Sequence, residues 1–290
     1  MRKSNNIICA TSAGYTSVMM AIKMKEWYPN CNIVNVFLNT GKEDIRSLEF
    51  MNECDKYYNL NLVWLESVIY SEKNSGSSYK VTSYSNLDTS GKIFEQGIKK
   101  YGIPNRTNKW CNRELKLVPL EKYANDLFGK NNWSLALGIR TDEIDRISEK
   151  YKTNNIFYPP FENKIDSRER NKFWSTEPIK LNLKAYEGNC DLCFEKSKRK
   201  RMTIAVENPK KLIWWNEMEE KYSLIELKGK DQYNKIAKKG GVYFGRMNES
   251  IQQLIEEAKK PFKKATDEYI YENDLFDLES DCGNSCTLEL

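Results

Sequence analysis

The chain has 290 residues, 40% of them hydrophobic and 30% charged, with a net charge of +5 and no histidine. That length and composition sustain one large or two modest folded domains and exclude a disordered chain. Without imidazole there is no histidine-dependent triad or metal site, so acid–base work falls to carboxylates, Lys, Tyr, Cys or water, and metals to Cys, Asp, Glu or backbone groups.

In chain order, Asn6 to Ala10 reads as a buried strand, and Val18, Met19, Ala21, Ile22 and Met24 recur at helical spacing up to Trp27. Between them lies a small-residue turn, Cys9 to Ser17. Amides of such a turn and of the first helical turn have no intrahelical partner and converge with the positive end of the helix dipole, where an anion fits. The hydroxyls of Ser12, Thr16 and Ser17 add donors, and Gly14 is expected to take the tight conformation. An ordinary capped helix start is the competing explanation.

Asn32 to Leu38 reads as a second strand ending at Asn39-Thr40-Gly41, Glu43 to Tyr58 as a second helix, and Asn61 to Leu65 as a third strand. Strands alternating with helices imply a doubly wound α/β fold with a mainly parallel sheet and right-handed crossovers. Cys9, Cys31 and Cys54 fall in or beside these elements and read as small buried thiols. The polar stretch Ser67 to Lys92 reads as a mobile loop or lid.

Pro104 to Lys116 leads into a helix through Val118, Leu120, Tyr123, Ala124 and Leu127. Arg106, Lys109, Arg113 and Lys116 crowd around Cys111, a setting in which a thiol ionises more easily, as metal ligand or nucleophile. Trp133 to Leu137 is a fourth strand, followed by Gly138-Ile139-Arg140-Thr141-Asp142-Glu143-Ile144-Asp145-Arg146. Ligands of doubly wound sheets sit beyond the carboxyl ends of strands where strand order reverses, so adjacency of the first and fourth strands would make Gly14 and Arg140 face one ligand. Arg140 and Arg146 suit phosphate or sulfate. Asp142 and Glu143 would hold magnesium or orient the arginines, with a structural ion-pair network as the competing explanation.

Beyond about residue 155 the alternation ends at Tyr158-Pro159-Pro160-Phe161. The expected division is an α/β domain over 1–155 and a smaller, mainly helical region over 156–290. That region holds Cys190-Asp191-Leu192-Cys193, helices over 194–206, 209–221 and 248–259, and a tail ending Asp281-Cys282-Gly283-Asn284-Ser285-Cys286. A C-x-x-C pair can grip one metal. Lys196 to Lys211 is basic and the tail from Asp267 carries no Lys or Arg; the basic run is as well explained by a solvated helix face, and supports no claim of nucleic-acid binding by itself. No apolar run approaches membrane-spanning length, and Met1 to Asn6 leaves no room for a secretory signal, so a cytoplasmic protein without a membrane partner is expected.

Together these motifs resemble the phosphoadenosine phosphosulfate (PAPS) reductase family of the PP-loop superfamily. Ser12-Ala13-Gly14-Tyr15-Thr16-Ser17 resembles its S-G-G-x-D-S loop, with Ala13 at the second position and Thr16 for the usual acid. Asn39-Thr40-Gly41 resembles its nucleoside-contacting turn, and Gly138 to Arg146 its G-[IV]-R-x-x-E-x-x-R segment. The resemblance implies nucleotide contacts at Ser12, Gly14, Tyr15, Thr16, Ser17, Asn39, Thr40, Gly41, Gly138, Arg140 and Arg146. Cys111, before Lys116-Leu117-Val118-Pro119-Leu120, resembles the first cysteine position of cluster-binding members, although Trp110 replaces the adjacent cysteine they carry. Cys190 and Cys193 match their C-x-x-C, and Cys286 or Cys282 would supply a fourth ligand for a [4Fe-4S] cluster, with zinc the alternative.

Asp281-Cys282-Gly283 resembles the family's terminal E-C-G-x-H without its His. The implied function is ATP-dependent adenylation and sulfur transfer, with Arg140 and Lys116 in catalytic roles, a sulfur donor as partner and a nucleic acid as one candidate acceptor. The alternatives are reduction of a sulfonucleotide (PAPS or APS) through Cys282 with a thioredoxin-like reductant, and a non-catalytic nucleotide or redox sensor.

Overall fold

A computed structural model describes residues 4–72, 75–106, 108–147, 155–188 and 190–267. The first half builds β1 (Asn6–Thr11), α1 (Tyr15–Trp27), β2 (Asn32–Asn39), α2 (Ile45–Tyr58), β3 (Val63–Ile69), β4 (Ser77–Thr82) and α3 (Lys92–Tyr101). There follow α4 (Trp110–Asn112), α5 (Val118–Phe128), β5 (Ser134–Ala136), β6 (Ile156–Phe157), α6 (Pro159–Glu162) and α7 (Ser167–Thr176). The remainder is helical: α8 (Lys198–Glu207), α9 (Leu212–Tyr222), α10 (Asp231–Gly240) and α11 (Ile251–Ala258).

The strands form one sheet in the order β4-β3-β2-β1-β5-β6, parallel except for the antiparallel edge pair β3 and β4. This is the expected doubly wound α/β architecture. Successive side chains of a strand point to opposite faces, so Ile7 and Cys9 join one apolar layer with α1 and α2, while Ile8 and Ala10 join the other with α5. Burial on both faces explains why β1 and β2 read as continuous apolar runs rather than alternating ones. Trp174 of α7 packs into the α1 layer, whereas Ile93, Phe94 and Ile98 of α3 pack with the C-terminal helices. No helix among the described residues is long and apolar enough to cross a membrane.

Strand order reverses beside β1: β2 leads away on one side, while β5 pairs with β1 on the other through Ile7–Ser134, Ile8–Leu135 and Cys9–Ala136. The loops after β1 and β5 therefore emerge side by side at one edge of the sheet. Cys9 and Cys54 are fully buried, and burial pushes both thiols up, Cys54 to about 12, so they stay neutral packing residues. Cys31 is half-buried.

Two expectations are corrected. The stretch from Ser67 to Lys92 is no lid: β3 runs on to Ile69, and Ser77 to Thr82 pair along it as an edge strand. Its polarity is that of a sheet edge, where charge such as Lys80 discourages further strands from pairing; Lys80 also meets the buried Glu66 at 2.8 Å. The tight backbone conformation falls on Ala13, at φ +55°, while Gly14 is extended at φ −97°.

In the helical region, Glu219 is buried and accepts the Phe244 and Ile251 amides at 2.9 and 2.7 Å. Burial outweighs those bonds and the Arg201 charge and pushes its carboxyl up to about 7. The folded state then holds a proton that the unfolded chain releases near pH 4.5, so Glu219 favours folding at low pH and that contribution disappears as pH rises toward 7. Chemical denaturation at pH 5 and pH 8 is expected to show this loss, of roughly 2–3 kcal/mol, and Glu219→Gln to flatten it; an equally steep loss in the variant contradicts the assignment.

Candidate functional site

Beyond the carboxyl ends of β1 and β5 lies a cavity of about 250 Å³, one wall of which is Ser12 to Ser17. The left-handed turn at Ala13 swings the chain from β1 into α1. Ser17 fixes this shape: its hydroxyl accepts the Ser12 amide at 3.0 Å and donates to the Gly14 carbonyl at 3.0 Å. A Cβ on Gly138 would stand 2.9 Å from the Ser17 Cα, so glycine there lets the β5 loop lie directly against the turn.

The competing explanation of Ser12 to Ser17, a helix start capped by its own hydroxyls, lacks a side-chain cap at its N-cap, Gly14. No side chain caps α1, nor α3, α5, α9 and α10, whereas Asp44, Asp166, Ser197 and Ser250 cap α2, α7, α8 and α11. The amino end of α1 thus keeps its dipole and amides directed at the cavity.

The opposite wall is cationic. The lining holds six basic side chains, Arg140, Arg146, Arg170, Lys184, Lys196 and Lys200, and one carboxylate, Glu143, while Asp142 and Glu207 outside it pair with Arg140 and Lys184. Arg140 donates to Asp142 through Nε at 2.9 Å and Nη2 at 3.2 Å, and to Thr16 Oγ1 through Nη1 at 3.0 Å. Thr16, where the resembled loop has an acid, therefore hydrogen-bonds the arginine without neutralising it. Burial pushes the Asp142 carboxyl up, but the Arg140 guanidinium outweighs this and holds it below the usual carboxylate range. Glu143 accepts the Arg140 amide at 3.1 Å and pairs with the Arg146 guanidinium.

Both carboxylates thus orient arginines, and among the described residues no three Cys, Asp or Glu side chains converge to hold a metal ion, magnesium included. The Arg146 Nε is buried without a hydrogen-bond partner among the described residues, the kind of donor an anion would satisfy.

A strap from Pro178 to Gly188 crosses the cavity, contributing Leu181, Leu183, Lys184, Ala185, Tyr186 and Gly188 to its lining. Tyr15 pins it: its hydroxyl accepts the Leu181 amide at 3.0 Å, its carbonyl accepts Trp174 Nε1 at 2.9 Å, and its ring lies 4.8 Å from that of Trp174. At its far end Glu187 meets Arg46 at 2.6 Å and Lys211 at 3.1 Å, and both cations also hold the buried Asp44.

Of the sequence-predicted residues, Ser12, Gly14, Tyr15, Thr16, Ser17, Gly138, Arg140 and Arg146 meet at this cavity. Asn39, Thr40 and Gly41 are not in its lining. Asn39 is buried and donates to Glu66 Oε1 at 2.6 Å and the Asp88 carbonyl at 2.8 Å, while both the amide and the hydroxyl of Thr40 donate to Glu43. The turn is held from within the protein. Arg170, Lys184, Lys196 and Lys200 were not singled out by the sequence; the basic run containing two of them was the available signal.

Cys111, Cys190 and Cys193 line a separate cavity with Thr40, Lys109, Lys116 and Glu195. Cys190 reaches it through a bridge to Glu43, a contact between its Sγ and Thr40 Oγ1 at 3.7 Å, and the Asp191 amide, which donates to the Lys42 carbonyl at 2.9 Å. Cys111 precedes a turn of π-helix, Arg113–Leu117, that carries Lys116; such turns recur at functional sites. Lys116 is therefore apart from Arg140, with the cysteines. The room there is about 30 Å³, the share of one water molecule. Three thiols supply the donor chemistry of a thiolate-bound metal, but they do not converge on one point, so the geometry does not fit a metal as it stands. Cys282 and Cys286 lie outside the described residues.

No family model matches the chain. Over 168 residues it is 31% identical to an uncharacterised nin-region protein of Escherichia phage lambda, covering 57% of each chain. It matches two uncharacterised proteins of Methanocaldococcus jannaschii, at 31% identity over 88 residues and 24% over 153, covering 30% and 52% of this chain. It spans a little over half the length of the phage relative and 16% and 26% of the archaeal ones. A PAPS reductase structure from Candida auris, a phosphate complex, aligns over 61% of this chain and 75% of its own with a TM-score of 0.39 and 13% identity.

Proposed function

We propose that the chain is an adenine-nucleotide-binding enzyme of the PP-loop, PAPS-reductase-like kind, holding the nucleotide's phosphates in the cavity between Ser12 to Ser17 and Arg140. The reading is carried by one observation, the convergence of an uncapped helix start with six basic side chains on a single cavity. An anionic ligand gains from the amino end of α1 and from the basic side chains, and Glu143 is the one carboxylate of the lining that opposes it.

With ATP, an acceptor oxygen attacks the α-phosphorus, the bond to the β-phosphate oxygen breaks, pyrophosphate leaves and the acceptor's proton passes to water. Charge growing on the leaving phosphates meets the α1 amides and Arg140, fixed in place beforehand by Asp142 and Thr16. A sulfur donor then displaces AMP from the activated acceptor, for which a nucleic acid is one candidate. A cluster or zinc enters the proposal only as an occupant of the cysteine cavity, which Cys111, Cys190 and Cys193 would hold after rearranging, with Cys282 or Cys286; no step runs through it.

The second reading, sulfonucleotide reduction, has its own observation. Asp267 accepts the amide of Ala185, a cavity residue, at 2.8 Å, and Cys282 follows fifteen residues later in sequence. A chain that long reaches at most about 50 Å, which spans the cavity. Its thiolate would attack the sulfate sulfur and expel the adenosine phosphate, and a thioredoxin-like dithiol would then release sulfite and become a disulfide.

Anaerobic incubation of the full chain with ATP and bulk RNA as acceptor, or with PAPS and a dithiol reductant, distinguishes the two. Pyrophosphate without sulfite is expected. Sulfite transfers the assignment to Cys282, and failure to bind either nucleotide contradicts both readings.

A further inference from the structure

One loop contributes to both cavities. Gly188 and Lys196 line the phosphate cavity, while Cys190, Cys193, Phe194 and Glu195, between them in sequence, line the cysteine cavity. Lys196 closes this loop on itself: its ammonium donates to the Glu187 carbonyl at 2.9 Å and to the Gly188 carbonyl, and its amide donates to the Cys193 carbonyl at 3.1 Å. The side chain is 2% exposed, so its charge acts in a medium that screens it little.

We infer that Lys196 couples the two cavities, so that a phosphate anion bound at the Ser12–Ser17 turn tightens the loop carrying Cys190 and Cys193. The inference rests on the anion-binding reading of that cavity. An anion there attracts the ammonium and holds it on the cavity side, where it also grips the two carbonyls at the base of the loop. Opening the loop then requires withdrawing the ammonium from the anion as well as from the carbonyls, so the cysteine segment opens less often. Lys200 lines the same cavity from α8, outside the loop, and adds charge there.

Hydrogen exchange of the full chain with and without saturating inorganic pyrophosphate tests this, with calorimetry of the same samples reporting binding. In the wild-type chain, pyrophosphate is expected to slow exchange over residues 12–17 and, by about fivefold or more, the low end of usual coupling between sites, over 190–196. The Lys200→Ala variant should bind more weakly yet, once saturated, protect both segments. Lys196→Met should, once saturated, protect 12–17 alone.

Wild-type binding with 190–196 unchanged overturns the coupling and leaves the anion site standing; this arm needs no variant. Protection of 190–196 that persists in Lys196→Met removes Lys196 as the link. Absence of binding by calorimetry overturns the anion site and the coupling together.

Discussion

Arg140→Ala is expected to weaken binding of ATP and of inorganic pyrophosphate by about a hundredfold, the usual loss when one prepositioned charged donor is removed from an anion site. Arg140 is held from three sides, by Asp142, by Thr16 and by Glu143, whose Oε2 lies 3.3 Å from its Nη1. A guanidinium fixed this way loses little freedom when an anion arrives. Arg140→Lys keeps the charge but not the planar fork that Asp142 grips at Nε and Nη2, so most of the loss should remain. Isothermal titration of each variant checks this, with thermal melting to confirm folding. Binding within about threefold of wild type in Arg140→Ala would remove it from the site, since lost donors of this kind cost far more.

Gly97→Ala is expected to destabilise the chain by roughly 1–3 kcal/mol or more. The added Cβ would overlap the Trp110 ring, which packs on Phe94 and Tyr101 and donates from Nε1 to the Gly102 carbonyl at 2.8 Å. A ring held by a hydrogen bond and two aromatic neighbours has nowhere to retreat. Trp110 stands where the resembled cluster-binding members carry a second cysteine, and here that position is a core anchor for Gly97. Denaturant titration of Gly97→Ala checks the magnitude, and an unchanged midpoint would mean that the ring is free to shift.

The turn after β1 was legible because it joins a continuous apolar strand to an apolar helix start, where Ser17 to Ala21 and Met24 are buried. Gly138 to Arg146 was legible as a loop at the carboxyl end of a strand, and the pairing of β1 with β5 supplies the adjacency on which its facing Gly14 depended. The cations of the strap and of α8 were not legible. Within the run 196–201, Lys196 and Lys200 line the cavity while Lys198 and Arg201 pair with Glu249. Helical periodicity does not tell which neighbour each face will meet. β4 was missed because an edge strand exposes one side to water and therefore carries polar residues otherwise typical of loops. The tight turn fell on Ala13 rather than Gly14 because glycine marks where a positive φ is easy, not where the chain takes one.

Calorimetric titration of the wild-type chain with ATP and with inorganic pyrophosphate, at low and at high salt, tests the central claim most directly. The account predicts saturable one-site binding of both, weakened by salt as charge–charge contacts require and reduced in Arg140→Ala. A folded chain that binds neither anion at low salt would contradict it.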